Sequence, residues 1–238
     1  MHIHMPKPPQ GWRDFFGEVA VIVVGIGIAL GGEEMLASWR EHHQADNSLV
    51  AIHDELAQNL GRMEARVRSE KCITDRLNQI AIYIEPKAGS VPVRPKWVGR
   101  PQIWNMQTSA LAAASSYGSM SLFARPEQLA ISATYAAMAS FAEAEKDEQW
   151  AWADLRSIAE DRRLSDVDQS DIRRALQRAR YSEWILHAQA KQALDSAAAI
   201  GVEPDLIEDG SRSVCIAMDT PFDEAVRQSG DPAYGEPR

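Results

Sequence analysis

Residues 19–32 read VAVIVVGIGIALGG, an uncharged apolar run close to the amino terminus. Three structures accommodate such a run: the first strand and glycine turn of a dinucleotide-binding fold, a secretion signal, or a helix in a bilayer. The dinucleotide fold requires G-x-G-x-x-G or A, then a helix and a second parallel strand ending in an acidic residue about 20 positions on. Gly25-Ile26-Gly27 begins that pattern, but Leu30 occupies its sixth position. Residues 33–84 contain no proline, only Gly61 as a glycine, and helical spacing throughout, so no second strand follows. A secretion signal fits the run's length, and Ala29-Leu30-Gly31 resembles a small-x-small cleavage site. Asp14 and Glu18 precede the run, however, where such a signal prefers positive charge.

The membrane helix accounts for the most residues. The strictly uncharged run alone is too short, about 21 Å. Phe15, Phe16, Met35 and Leu36 extend it, and residues 15–36 then span about 33 Å, close to the ~30 Å hydrocarbon core. Trp12 and Trp39 bracket the span about 40 Å apart, where indoles favour the two membrane–water interfaces. Glu18, Glu33 and Glu34 fall near those interfaces, where a carboxylate reaches water at modest cost. A buried core helix of a water-soluble protein is the plain alternative.

The stretch GWRDFFGEVAVIVVGIGIALGGEEMLASW resembles the N-terminus of an uncharacterised group of bacterial single-pass membrane proteins with the pattern W-R-x-F-x-G-E-x-x-V-I-V-x-G-I-x-I-A-L. Trp12, Arg13, Phe15 or Phe16, Gly17, Glu18, residues 21–23, Gly25, Ile26, Ile28, Ala29 and Leu30 carry the match. The resemblance implies a membrane location and no activity.

Lys7, Arg13 and the amino terminus precede the span, and Arg40 is the first basic residue after it. Basic residues resist translocation, so the expected topology has residues 1–14 in the bacterial cytoplasm, 15–36 in the inner membrane and 37–230 as a periplasmic domain. Residues 231–238 are expected to be a disordered tail. In an oxidising compartment Cys72 and Cys215 should pair; in a reducing one they would be two buried thiols. Gly27 and Gly31 form a G-x-x-x-G, and Gly25 with Ala29 a second small pair. Such faces let helices approach closely in lipid, which points to a homo-oligomer or a larger membrane complex.

The expected fold is all-α: the transmembrane helix continues into a long helix of an antiparallel helical bundle. Leu49, Ile52, Leu56, Leu60, Met63, Val67, Ile73, Leu77, Ile80 and Ile84 recur at steps of three and four, with Glu55, Arg62, Arg66 and Asp75 assigned to the opposite face. Pro86, Pro92, Pro95 and Pro101 then impose a loop, packed by Trp97 and Trp104. Further helices are expected over 103–116, 126–161 and 167–200, the last capped by Asp168 or Ser170 and stopped at Gly201. Leu129 and Trp184 are expected on buried faces. The remainder, 201–238, should be irregular and anchored near Cys215.

Chemistry is harder to find. A net charge of −9 and the lack of a basic stripe argue against nucleic-acid binding. His42-His43 lies on a charged helix, and His2 and His4 lie near the terminus. Glu183 and His187 do not have the Glu-x-x-His spacing of a di-iron bundle. Glu145, Asp147 and Glu148 read as a solvated face. No P-loop or G-x-S-x-G occurs, so no catalytic, metal or cofactor residue is assigned. The expectation is a non-enzymatic, membrane-anchored scaffold or accessory subunit whose first partner is the lipid bilayer. The alternatives are a ligand-sensing periplasmic domain and an envelope enzyme with an unrecognised site.

Overall fold

A computed structural model describes residues 11–86, 88–89, 91–160, 164–207 and 212–230, without the side chains of Arg13 and Asp14. His2, His4, Lys7, most of the expected cytoplasmic tail and residues 231–238 lie outside the described residues. Those described are all-α, with no strand. The order is α1 (Trp12–Arg68), α2 (Glu70–Ile84), α3 (Ser109–Ser116), α4 (Arg125–Arg156), α5 (Asp166–Ala198), α6 (Arg212–Cys215) and α7 (Phe222–Ser229).

The expected long helix is present as α1 and α2, separated at Ser69. The Ser69 hydroxyl bonds back to the Ala65 carbonyl at 2.8 Å, and such a bond commonly bends a helix. Residues 15–44 of α1 are all exposed. Ala45 is the first residue inside the bundle, and Ile52, Leu56, Leu60 and Met63 then fall on its covered face. One helix therefore carries two patterns in series: apolar all round over residues 19–32, one-faced after Ala45.

Helices α4 and α5 form the other main pair, antiparallel, with α4 running alongside α1 in the same direction. The buried stripe of α5 is Ile172, Ala175, Leu176, Ala179, Ser182, Leu186, Ala190, Ala193 and Ala197. Its alanines let the α4 backbone come close, and Phe141, Trp152 and Leu155 of α4 fill the space beside them. This preference for small residues turns Trp184 outward, against expectation, where it sits against Tyr181 with ring centroids 6.1 Å apart. Leu129 is likewise exposed, not buried. The cap of α5 is Ser165, one turn earlier than expected: its hydroxyl accepts from the Asp168 amide, and Asp168 accepts from the Ser165 amide at 2.8 Å, a reciprocal capping box.

The largest departure from expectation is the segment after α2. Helix α3 does not start near residue 103. Residues 91–108 form neither helix nor strand and run back down the bundle as a strap along α1 and α4. Backbone outside a helix or sheet leaves amides and carbonyls without regular partners. Side chains supply them. Asn59 brackets Gln107, donating to its carbonyl at 2.7 Å and accepting from its amide at 3.0 Å. Arg62 donates to the Asn105 carbonyl at 2.6 Å. Glu145 accepts from the Trp104 amide at 2.9 Å. Arg76 donates to the carbonyls of Val98 and Ile216. Glu55, Arg62 and Arg66 are therefore turned inward, and only Asp75 of that expected polar set stays exposed.

The segment after α5 is more ordered than expected, holding α6 and α7. Cys72 and Cys215 form a disulfide with Cα atoms 5.1 Å apart, joining α2 to α6. The Trp97 indole donates to the Ser213 carbonyl at 2.8 Å, and Trp97 packs with Ala225 and Val226. At Gly99, with φ +71°, a Cβ would sit 2.3 Å from the Ser213 carbonyl oxygen, so only glycine lets strap and α6 touch there.

Candidate functional site

Two regions merit attention: the uncovered start of α1 and the polar seam inside the bundle. The first is the only described helix long and apolar enough to cross a membrane, and none of its most apolar stretch is buried within the protein. Trp12 is 77% and Trp39 63% exposed. Trp12 stacks on Phe16 with centroids 5.8 Å apart, and Trp39 on His43 at 5.6 Å with rings nearly parallel. A Cβ built on Gly25, Gly27 or Gly31 meets nothing within 4 Å, and Ala29 is exposed, so none of the described residues covers the small-residue face.

The seam lies where α1, α4, α5 and the strap meet. Arg66, 3% exposed, holds Glu148 at 2.7 Å through Nη2 and Glu183 at 3.6 Å through Nη1. Glu148 is fully buried. Glu145 lies one turn earlier on α4 and holds the strap at Trp104. Two carboxylates thus share one guanidinium, and its charge also reaches Glu145. Burial raises the pKa of Glu148 and of Glu183 against the pull of the Arg66 charge. Burial, aided by the charge of Glu148, pushes Glu145 up to about 7 despite the Trp104 amide and Arg66. Lower in the bundle, Glu55 behaves oppositely. Burial alone would raise it, but hydrogen bonds from Ser109, Tyr135 and the Ala110 amide outweigh burial and hold it low. Burial and the Glu55 carboxylate raise the Tyr135 hydroxyl and keep it protonated.

A carboxylate with a raised folded-state pKa binds its proton more tightly in the native than in the unfolded protein. Its stabilising contribution is complete below the ordinary value of 4.5 and is lost as pH climbs through the folded value. The protein is therefore expected to be more stable at pH 5 than at pH 8, by on the order of 3 kcal/mol from Glu145. Glu145→Gln keeps the acceptor for Trp104, removes the charge, and should flatten that slope. Denaturant unfolding of the full chain in detergent at both pH values measures this, and a stability that rises from pH 5 to pH 8 contradicts it.

Two clefts on the surface of the described residues are lined by other residues: one of about 390 Å³ by Ile82, Tyr83, Pro92, Val93, Arg94 and Met218 among others, another of about 280 Å³ by Asp147, Trp150, Arg178 and Tyr181 among others. Glu183 turns to Arg66, whereas His187 faces Glu70 at 3.3 Å, so the two do not converge. Among the described residues no group of three or more His, Cys, Asp or Glu is placed to hold a metal ion. The expected solvated face of Glu145, Asp147 and Glu148 is split: Asp147 is exposed and both glutamates are inside. No family model, curated protein or solved structure matches this chain.

Proposed function

We propose that this chain is a single-pass protein of a bacterial inner membrane. Its N-terminal helix spans the bilayer, and its disulfide-linked bundle stands in the periplasm as a non-enzymatic scaffold or accessory subunit. The observation that carries this reading is the contrast along α1. The same helix is uncovered from Phe15 to Gln44 and packed from Ala45 onward. A core helix would be covered by its own protein, whereas a helix in lipid is covered by the bilayer. Its unbroken passage through residues 29–31 favours an anchor over a cleaved signal, because proteases cut extended chain. The disulfide is consistent with an oxidising compartment.

The scaffold role draws on the uncovered face of Gly25, Gly27, Ala29 and Gly31, which leaves room for a second membrane helix. Full-length protein made in bacteria should stay in the membrane fraction through alkaline carbonate, require detergent for release, and keep residue 1 or 2 at its start. A soluble form beginning near residue 32 would replace the anchor with a signal. Crosslinking after detergent extraction tests the second half: a strict monomer without a co-purifying protein contradicts a scaffold.

A further inference from the structure

The geometry of the bundle relative to α1 determines which of its surfaces faces the bilayer. Helix α3 descends from the level of Glu55, which Ser109 and Ala110 contact at 2.6 and 3.0 Å. Helix α4 climbs back, with Glu127 3.9 Å from His53 and Tyr135 bonded to Glu55 at 2.6 Å. The turn between them is the lowest part of the bundle. It is pinned there by Ser119, which accepts from Ser48 at 3.1 Å, and by Phe123, which shares a core with Ala45.

Between Leu36 and Ala45, α1 has no glycine, proline or break. The bundle therefore begins about 13 Å above the hydrocarbon edge. Headgroups fill roughly the first 5–7 Å of that gap. A tilt of ~20°, usual for a membrane helix, lowers an element packed 8–10 Å to one side by about 3 Å. The remaining distance is within reach of a tyrosine or arginine side chain.

The residues at that turn suit the task. Gly118, with φ +74°, turns the chain and leaves Tyr117 68% and Leu122 44% exposed. Arg125 is exposed beside them. No acidic residue occurs between Glu85 and Glu127, so the turn itself carries no carboxylate, although Glu41 and Asp46 are exposed on the adjoining part of α1 and the chain as a whole carries −9. An acidic domain close to an anionic membrane is repelled except where its surface lacks carboxylates.

We propose that the turn 117–125 is an interfacial foot resting on the headgroups of the bilayer that holds α1. Tyr117 and Leu122 enter the headgroup layer, Arg125 faces lipid phosphates, and the contact sets the tilt and rotation of the bundle. This rests on the membrane-anchor reading above.

The test uses the oxidised full chain, whose native cysteines are paired, in vesicles of phosphatidylethanolamine and phosphatidylglycerol. A fluorophore is attached in turn to Leu122→Cys, to Val24→Cys in the span and to Val93→Cys, 83% exposed at the far end of the bundle. Nitroxides on the acyl chains should quench the Val24 probe. Nitroxides on the headgroups should quench the Leu122 probe at least about twofold more than the Val93 probe. If the Val24 probe is quenched and the Leu122 probe matches Val93, the foot is wrong and the anchor stands. A Leu122 probe shielded from aqueous iodide yet untouched by headgroup nitroxides would assign the turn to a protein partner, which also overturns the foot. If the Val24 probe is not quenched, the anchor fails and the foot fails with it.

Discussion

Arg66→Met should destabilise the full chain by about 3–5 kcal/mol at pH 8, the largest single-residue effect expected in the bundle. Arg66 is the cation that holds Glu148, a fully buried carboxylate, and it also reaches Glu183. Removing it leaves a charge in a place where water cannot replace the lost partner. The protein's recourse is to protonate Glu148, whose pKa burial already raises. The loss should therefore shrink at pH 5. Adding Glu148→Leu to Arg66→Met removes the fully buried orphaned charge, leaving only the partly exposed Glu183, and should recover much of the stability, since apolar replacement of a buried pair is often neutral or better. A double-mutant cycle from denaturant unfolding in detergent at both pH values decides this. A loss under about 1 kcal/mol at pH 8, or one equal at both pH values, would show that Glu148 does not depend on Arg66.

The second large effect belongs to Cys72–Cys215. The bond closes a loop with a sequence separation of 143 residues. The chain-entropy model assigns about 5 kcal/mol to a loop of that length, and native or denatured-state structure usually reduces the amount delivered. Reduction, or Cys72→Ser with Cys215→Ser, should lower the melting temperature by roughly 10 °C or more for a domain of this size. The C-terminal arm should nevertheless stay docked below the transition. Arg76 still holds the Ile216 carbonyl, Trp97 still bonds Ser213, and the strap still donates to the Met218 carbonyl from Lys96 at 2.7 Å. Hydrogen exchange separates the two effects. Loss of protection confined to α6 and α7 after reduction would mean that the disulfide alone holds the arm.

Both predictions depend on residues whose roles were legible to different degrees. The cysteines could be paired from the sequence because the expected compartment, not a local contact, determined their state. Arg66 and Glu148 could not be paired. In the sequence, Glu145, Asp147 and Glu148 form one acidic run, and only the packing of α1 and the strap against α4 separates Asp147, outside, from the two glutamates, inside. The strap has no local signature for the same reason. Residues 103–108 carry no proline and have tolerable helix propensity, but Asn59, Arg62 and Glu145 offer their irregular backbone better partners than one more helical turn would. Trp184 looked like a core residue by size, and the alanine stripe of α5 excluded it, since small residues permit the closer approach to α4.

By itself the sequence determined the helical class, the uncovered apolar start of α1 and the proline-imposed end of α2. Each of these follows from local terms: the transfer free energy of consecutive apolar side chains, the period of a helix face, the missing amide of proline. Tertiary structure alone decided which charges are inside, where the chain between α2 and α3 runs, and which aromatic residues face water. Those outcomes depend on groups far apart in the chain competing for the same space and the same hydrogen bonds, and such a competition has no local signature.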